Sequence, residues 1–235
     1  MGVRKKFIKF KDNLILLGRW LWVRQKQSTR SITSGSSLDL CDIYYINLDH
    51  RTDRRANIEK QLSKLDVNST CRIQAIFNEN GALGCAQSHL KVLSNWTQVP
   101  ERLLFVCEDD CEFSVDRHEV EDLVEEFLRN PFLDVLCLAY NAKNGINISR
   151  NLMITSNTQT LCCYVLKAHM VDPMISAAME SVDRLTKGYP KKVAAIDVVW
   201  KRLQKNYMFA LPIKRIAKQS ASFSDIEHTD VDYGV

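Results

Sequence analysis

Short apolar runs bounded by charge or glycine recur along the chain and predict strands near 42–47, 71–76, 102–107, 133–138, 160–166 and 208–211. Between them, apolar positions return at helical spacing, as at Ile58, Leu62 and Leu65, and predict helices near 53–65, 84–97, 116–129, 167–180 and 194–205. Strands alternating with helices imply an α/β layer around a mainly parallel sheet. Residues 140–159 break the pattern. They are polar, hold Asn141, Asn144, Asn147, Asn151 and Asn157, and read as a long loop or hairpin. Ser28 to Ser37 reads as a linker into the first strand. No internal repeat is visible.

Leu103-Leu104-Phe105-Val106-Cys107 is the strongest strand signal, and it runs straight into Glu108-Asp109-Asp110. An apolar run of this kind is a strand buried on both faces. Acids at its C-terminal end fall in the crevice where open α/β sheets bind ligands. Three adjacent carboxylates repel one another, and a hard divalent cation such as Mg²⁺ or Mn²⁺ offsets that repulsion through oxygen ligands. Alternate residues of an extended segment share a side, so Glu108 and Asp110 are the expected metal pair, with Asp109 bonded to ribose or to loop amides. The other reading is a solvated acidic turn after an edge strand.

The strand at 43–46 leads into Asn47-Leu48-Asp49-His50-Arg51-Thr52-Asp53-Arg54-Arg55. Asp53 is the expected N-cap of the next helix. Arg51, Arg54 and Arg55 then stand at a helix N-terminus, where backbone N–H groups already favour anions and guanidinium forks suit phosphate. The alternative is a basic first turn paired with surface acids. Farther on, Asp197 is a lone acid in Ala195-Ile196-Asp197-Val198-Val199-Trp200. Burial without a partner is costly, so it either has a structural partner, as a helix cap or in a salt bridge to Lys191 or Lys192, or serves as a base.

At 235 residues the chain has room for one sizeable core. Its net charge of +4 is uneven: residues 1–40 hold nine Lys and Arg against two Asp, a net of +7, which leaves −3 for the rest. The basic character belongs to this leader, so nucleic-acid binding is not indicated. Leu14 to Val23 is too short to span a membrane and is interrupted by Arg19. With Trp20, Trp22 and basic flanks, residues 1–30 suit peripheral contact with an anionic membrane, or else a tail or a helix docked on the domain. Of the eight cysteines, Cys107, Cys137, Cys162 and Cys163 lie in apolar runs and read as reduced, buried thiols, with no paired zinc spacing. The expected location is cytoplasmic. Formal sequons at Asn68, Asn95 and Asn147 are the features that keep a lumenal one open.

INLDHRTDRR (46–55), GALGCAQSHL (81–90), FVCEDD (105–110) and PIKRIAKQSASFSDIE (212–227) occur in the order and rough spacing of glycosyltransferase family 25, which the chain resembles over about 42–228. That family includes bacterial lipopolysaccharide glycosyltransferases and collagen galactosyltransferases. The resemblance implies an α/β, single-domain type A glycosyltransferase fold over residues 41–235: Rossmann-like, with a mainly parallel sheet and flanking helices. It implies transfer of a hexose, galactose or glucose, from a nucleotide diphosphate sugar to a hydroxyl on a glycan, lipopolysaccharide or protein, with inversion and with Mn²⁺ or Mg²⁺. Donor contacts are expected from Asn47, Leu48, Asp49, Arg51, Arg54, Arg55, Ser88, His89 and Asp109. His89 alternatively serves as a hydrogen-bonded structural residue. Metal ligands are expected from Glu108 and Asp110, with His228 as a third from the C-terminal segment. An imidazole there favours Mn²⁺. The expected base is Asp197, with Asp225 next; a frayed polar tail is the alternative for the segment holding Asp225 and His228. Where the family carries an acid after the first glycine of the second motif, this chain has Ala82. The rival readings are an inactive sugar- or partner-binding module and a metal-dependent nucleotidyltransferase; no P-loop is present.

Overall fold

The computed structural model describes residues 2–24, 36–67, 69–220, 222–224 and 229–231, with side chains over 11–22, 36–67 and 69–220. The chain runs α1 (Gly2–Arg24), β1 (Cys41–Asn47), α2 (Thr52–Lys64), β2 (Thr70–Gln74), α3 (Gly81–Asn95), β3 (Leu103–Glu108), β4 (Cys111–Phe113) and α4 (Arg117–Arg129). Then come β5 (Val135–Cys137), β6 (Asn141–Ala142), β7 (Ile146–Asn147), β8 (Leu152–Thr155), β9 (Thr158–Gln159), β10 (Cys163–Lys167) and α5 (Val171–Thr186). The order closes with α6 (Lys191–Ala194), α7 (Ile196–Val199), β11 (Phe209–Pro212), β12 (Ala217–Gln219), β13 (Ser222–Ser224) and β14 (Thr229–Val231).

Eight strands form one sheet in the order β2-β1-β3-β10-β5-β11-β8-β7. Strands β10 and β8 run against the other six, so the expected mainly parallel sheet with flanking helices is present. Successive side chains of a strand point to opposite faces. Accordingly Leu103, Phe105 and Cys107 of β3 enter one core with Ile58 and Leu62 of α2 and Val120, Val124 and Phe127 of α4. Leu104 and Val106 enter the other with Val92 and Leu93 of α3 and Met174 and Ala178 of α5. Helix α4 shows why such a segment folds locally: Asp116 caps it by accepting from Glu119 N (3.3 Å), and its buried residues recur at i, i+3, i+4 and i+7.

The polar stretch 140–159 forms the expected hairpin, with β7 pairing β8 and β6 pairing β9, and β8 also joins the main sheet through β11, because Leu152 and Ile154 alternate inward. Two expectations are corrected. The helix expected over 194–205 is broken at Ala195, whose extended ψ of 146° separates α6 from α7, and a 3₁₀ turn follows over Trp200–Lys205. Asp53 lies inside the first turn of α2 rather than at its cap, which is Arg51 without a side-chain cap bond.

Helix α1 is docked on the domain. Leu16 is buried in the first core, Trp20 meets the Phe132 ring edge-on at 6.3 Å, and Arg19 Nη1 donates to Gln204 O (3.0 Å). No helix among the described residues is long and apolar enough to cross a membrane. All eight cysteines are unbridged, and Cys107, Cys137, Cys162 and Cys163 are fully buried.

Candidate functional site

From β1 the chain goes to β2 on one side and then crosses to β3 on the other, so the connectivity reverses between β1 and β3. A crevice opens at the C-terminal ends of strands at such a point. Here Asn47 ends β1 and Glu108 ends β3, with Ile46 and Glu108 in register. An open cleft lies over them. Its walls include Asn47 from the end of β1, Leu48 after it, Arg54 from the first turn of α2, and Gly84, Ser88 and His89 from α3. Glu108 ends β3, Asp109 and Asp110 follow it, and Gln219 comes from β12.

The three carboxylates are held differently. Asp109 accepts from Asn47 Nδ2 (2.8 Å) and Arg54 Nη1 (3.1 Å). Both of these partners are side chains. Asp110 accepts from the same Arg54 Nη1 (3.2 Å) and from Gln219 Nε2 (2.9 Å). Glu108 Oε1 meets His89 Nε2 at 3.0 Å, and His89 Nδ1 meets the Tyr164 hydroxyl at 3.0 Å. His89 and Tyr164 are buried, so this relay fixes the Glu108 carboxylate from behind. Burial, followed by the neighbouring Glu108 charge, pushes the Asp110 carboxyl up to about 7. Burial likewise raises Asp109, against the opposing pull of Arg54. One guanidinium shared by two acids therefore leaves negative charge in excess here.

That excess is what a divalent cation relieves. An oxygen of Glu108, an oxygen of Asp110 and the Cys162 sulfur lie within 4.8 Å of one another. The residues present fit the expected metal, Glu108 and Asp110 as hard oxygen ligands and Cys162 as an unforeseen neighbour. Asp225 and His228 lie outside the described residues, between β13 and β14.

Of the three arginines, only Arg54 lines the cleft. Arg51 forks onto Asp53 (3.1 and 3.0 Å), and that pairing holds the Asp53 carboxyl down at about 2. Arg55 bonds Glu59 (2.8 Å) and is half exposed. Adjacent residues on a helix point about 100° apart, so Arg54 and Arg55 cannot both face one cleft. Asp49 is engaged by Arg72 Nη2 (2.6 Å) and by Gln74, and is absent from the cleft wall, whereas Leu48 is part of it. Ser88 lines the cleft but is satisfied internally: its hydroxyl donates to Gly84 O (2.7 Å) and accepts from Ile76 N (2.8 Å).

Asp197 is not on the cleft wall. It sits in the first turn of α7 and accepts from Gln159 Nε2 (3.1 Å). The Cys85 thiol on the wall is raised by burial first, then by the charges of Glu108 and Asp197.

Sequence reasoning missed Arg72, Gln219, Tyr164 and Phe77. Arg72 Nε donates to Asn47 Oδ1 (3.1 Å) and so sets the amide that reaches Asp109. Tyr164 carried a signal, since a hydroxyl inside a buried strand requires a partner. Phe77 is 66% exposed at the cleft rim, edge-on to His50.

No protein-family model and no curated protein sequence matches the chain. Among solved structures it is similar to a glycosyltransferase involved in the glycosylation of the major capsid of PBCV-1, with 8% identity over 80% of this chain and 96% of that one and a TM-score of 0.39. It is also similar to mouse xyloside xylosyltransferase 1 (7% identity, 71% of this chain and 68% of that one, TM-score 0.35). A third is a Bacillus anthracis protein provisionally assigned as a glucose-1-phosphate thymidylyltransferase (13% identity, 83% and 78% covered, TM-score 0.38). Likeness at this level assigns neither family nor activity.

Proposed function

We propose that the protein is a metal-dependent hexosyltransferase of the family 25 type, with a type A glycosyltransferase fold, that transfers galactose or glucose from a nucleotide diphosphate sugar to a hydroxyl acceptor with inversion. One observation carries this reading. The four motifs behind the resemblance are spread over more than half the chain, yet each contributes wall residues to the same cleft: Asn47, Leu48 and Arg54 from the first, Gly84, Ser88 and His89 from the second, Glu108 to Asp110 from the third, and Gln219 from the fourth.

In this reading Glu108 and Asp110 hold the cation, with His228 as a further ligand. When bound, Mn²⁺ or Mg²⁺ supplies positive charge to a diphosphate leaving group. Arg54 donates to the phosphates. His89, oriented by the Tyr164 hydroxyl, keeps the Glu108 carboxylate turned to the cleft. Asn47 and Gln219 fix Asp109 and Asp110. Asp197, held by Gln159, takes the proton of the acceptor hydroxyl as the sugar's anomeric carbon is attacked, and Asp225 is the next candidate for that role.

A panel of nucleotide sugars with Mn²⁺, scored for release of nucleoside diphosphate and of sugar, tests the reading. Release of pyrophosphate from a nucleoside triphosphate and a sugar phosphate would make the protein a nucleotidyltransferase instead. Binding without turnover of any donor, with acceptors present, would leave a binding module. With an active donor in hand, Asp197→Asn is expected to lower transfer by about 10²–10⁴-fold while donor binding holds, the range for one acid–base group. Full transfer by a stably folded Asn variant moves the base elsewhere.

A further inference from the structure

Leu16, Arg19 and Trp20 of α1 face the domain. Its outer face is not polar, as an ordinary surface helix would be. Leu14 is 53% exposed, Ile15 55%, Leu21 46% and Trp22 61%. With Gly18, beside which nothing lies within 4 Å of an added Cβ, these positions recur at helical spacing and form one apolar stripe about 12 Å long. Leu16, Arg19 and Trp20, which seat the helix, lie on the other side.

The charge around the stripe selects its occupant. Lys11, exposed, lies one turn before Ile15 on the same face, and residues 1–40 have a net charge of +7 while the remainder carries −3. Basic residues beside an exposed Leu, Ile and Trp surface are the combination that binds an anionic bilayer: acyl chains take the apolar side chains, the indole sits at headgroup level and lysines meet the lipid phosphates and carboxylates. A negatively charged body is attracted there only through this end.

We propose that the outward face of α1, Leu14, Ile15, Leu21 and Trp22, docks the protein peripherally on an anionic lipid bilayer, with the exposed Lys11 on the same face completing the contact. This goes beyond the transfer reaction and stands or falls independently of it.

The test is vesicle co-sedimentation of the full chain, using phosphatidylcholine vesicles with and without phosphatidylserine at low and high salt. Wild type is expected to partition to phosphatidylserine vesicles and to leave them as salt rises. Ile15→Glu with Trp22→Glu is expected to lower partitioning about tenfold or more. Met179→Glu, a charge placed on an exposed apolar residue of α5, is expected to change nothing. Should the double variant fail to fold, Lys11→Gln keeps the stripe and is expected to lose about fivefold in partitioning. Equal binding to neutral and anionic vesicles overturns the proposal, as does no binding, or unchanged binding by a folded stripe variant. Sedimentation analysis that finds a wild-type dimer split by the stripe substitutions also overturns it, by making the face a contact between copies of the chain.

Discussion

Asp110→Asn separates the stability of this fold from its capacity for a cation. The Asp110 carboxyl is enclosed, and burial together with the Glu108 charge pushes it from 3.8 up to about 7, with Arg54 and Gln219 opposing only in part. That difference corresponds to about 4 kcal/mol between the protonated and ionised forms. The folded state holds the proton more tightly than the unfolded chain. The associated stability is therefore complete below about pH 4 and is lost as the pH rises through about 7. Asparagine has the same shape and no such loss. Urea denaturation in EDTA from acid to mildly alkaline pH should show wild type and variant alike at the acid end. At the alkaline end the variant should be more stable by up to about 4 kcal/mol, less whatever the Arg54 contact loses when its acceptor becomes neutral. Parallel curves, or a variant less stable above neutrality, would show that Arg54 and Gln219 fully compensate the charge and would refute the reasoning. The second half of the experiment reverses the order. Adding Mn²⁺ with UDP should raise the Tm of wild type and not of the variant, because a ligand stabilises only the state that binds it. An equal rise in both would remove Asp110 from the cation site.

Three further outcomes follow from the packing. Gly84→Ala places a Cβ 2.6 Å from the Ile76 carbonyl oxygen, so β2–α3 packing must shift; a cost of about 1–3 kcal/mol should appear in the melt, and an unchanged Tm would contradict the close approach. Tyr164→Phe leaves the buried His89 ring nitrogen without its hydroxyl and should cost about 1–3 kcal/mol while lowering transfer; unaltered stability and rate would remove the relay behind Glu108. Leu16→Ala should weaken the seat of α1 by about 2–5 kcal/mol and speed amide exchange across the helix, whereas unchanged exchange would mean that the helix is not held by that face.

The six strands anticipated from apolar runs are all present, because burial on both faces leaves a continuous signature such as Leu103 to Cys107. Strand direction was not legible. Cys163 to Leu166 is buried on both sides like β3 yet runs antiparallel to it, and nothing in the side chains distinguishes the two directions. Strand β8 was hidden because its few apolar residues sit among asparagines that build the nested β6–β9 and β7–β8 pairs. In the site, the acidic triplet and Arg54 could be read from local spacing. The role of Gln219 could not. It depends on β12 pairing with β4 across about a hundred residues of chain, which carries its amide back to Asp110. Arg51 and Arg55 pair with acids two and four residues away in sequence, Asp53 and Glu59.

The Arg54 bridge has a thermodynamic consequence. Its guanidinium lies within 3.2 Å of both Asp109 and Asp110, so the carboxylates already share an internal positive charge. Any cation that arrives does so by exchange, and its apparent affinity is the difference between its own coordination and the Arg54 contacts it weakens. A phosphate group that accepts from Arg54 removes that competitor. Anion and cation should then each raise the other's affinity by the same factor, although neither need touch the other's ligands. Titrations of either alone will underestimate both.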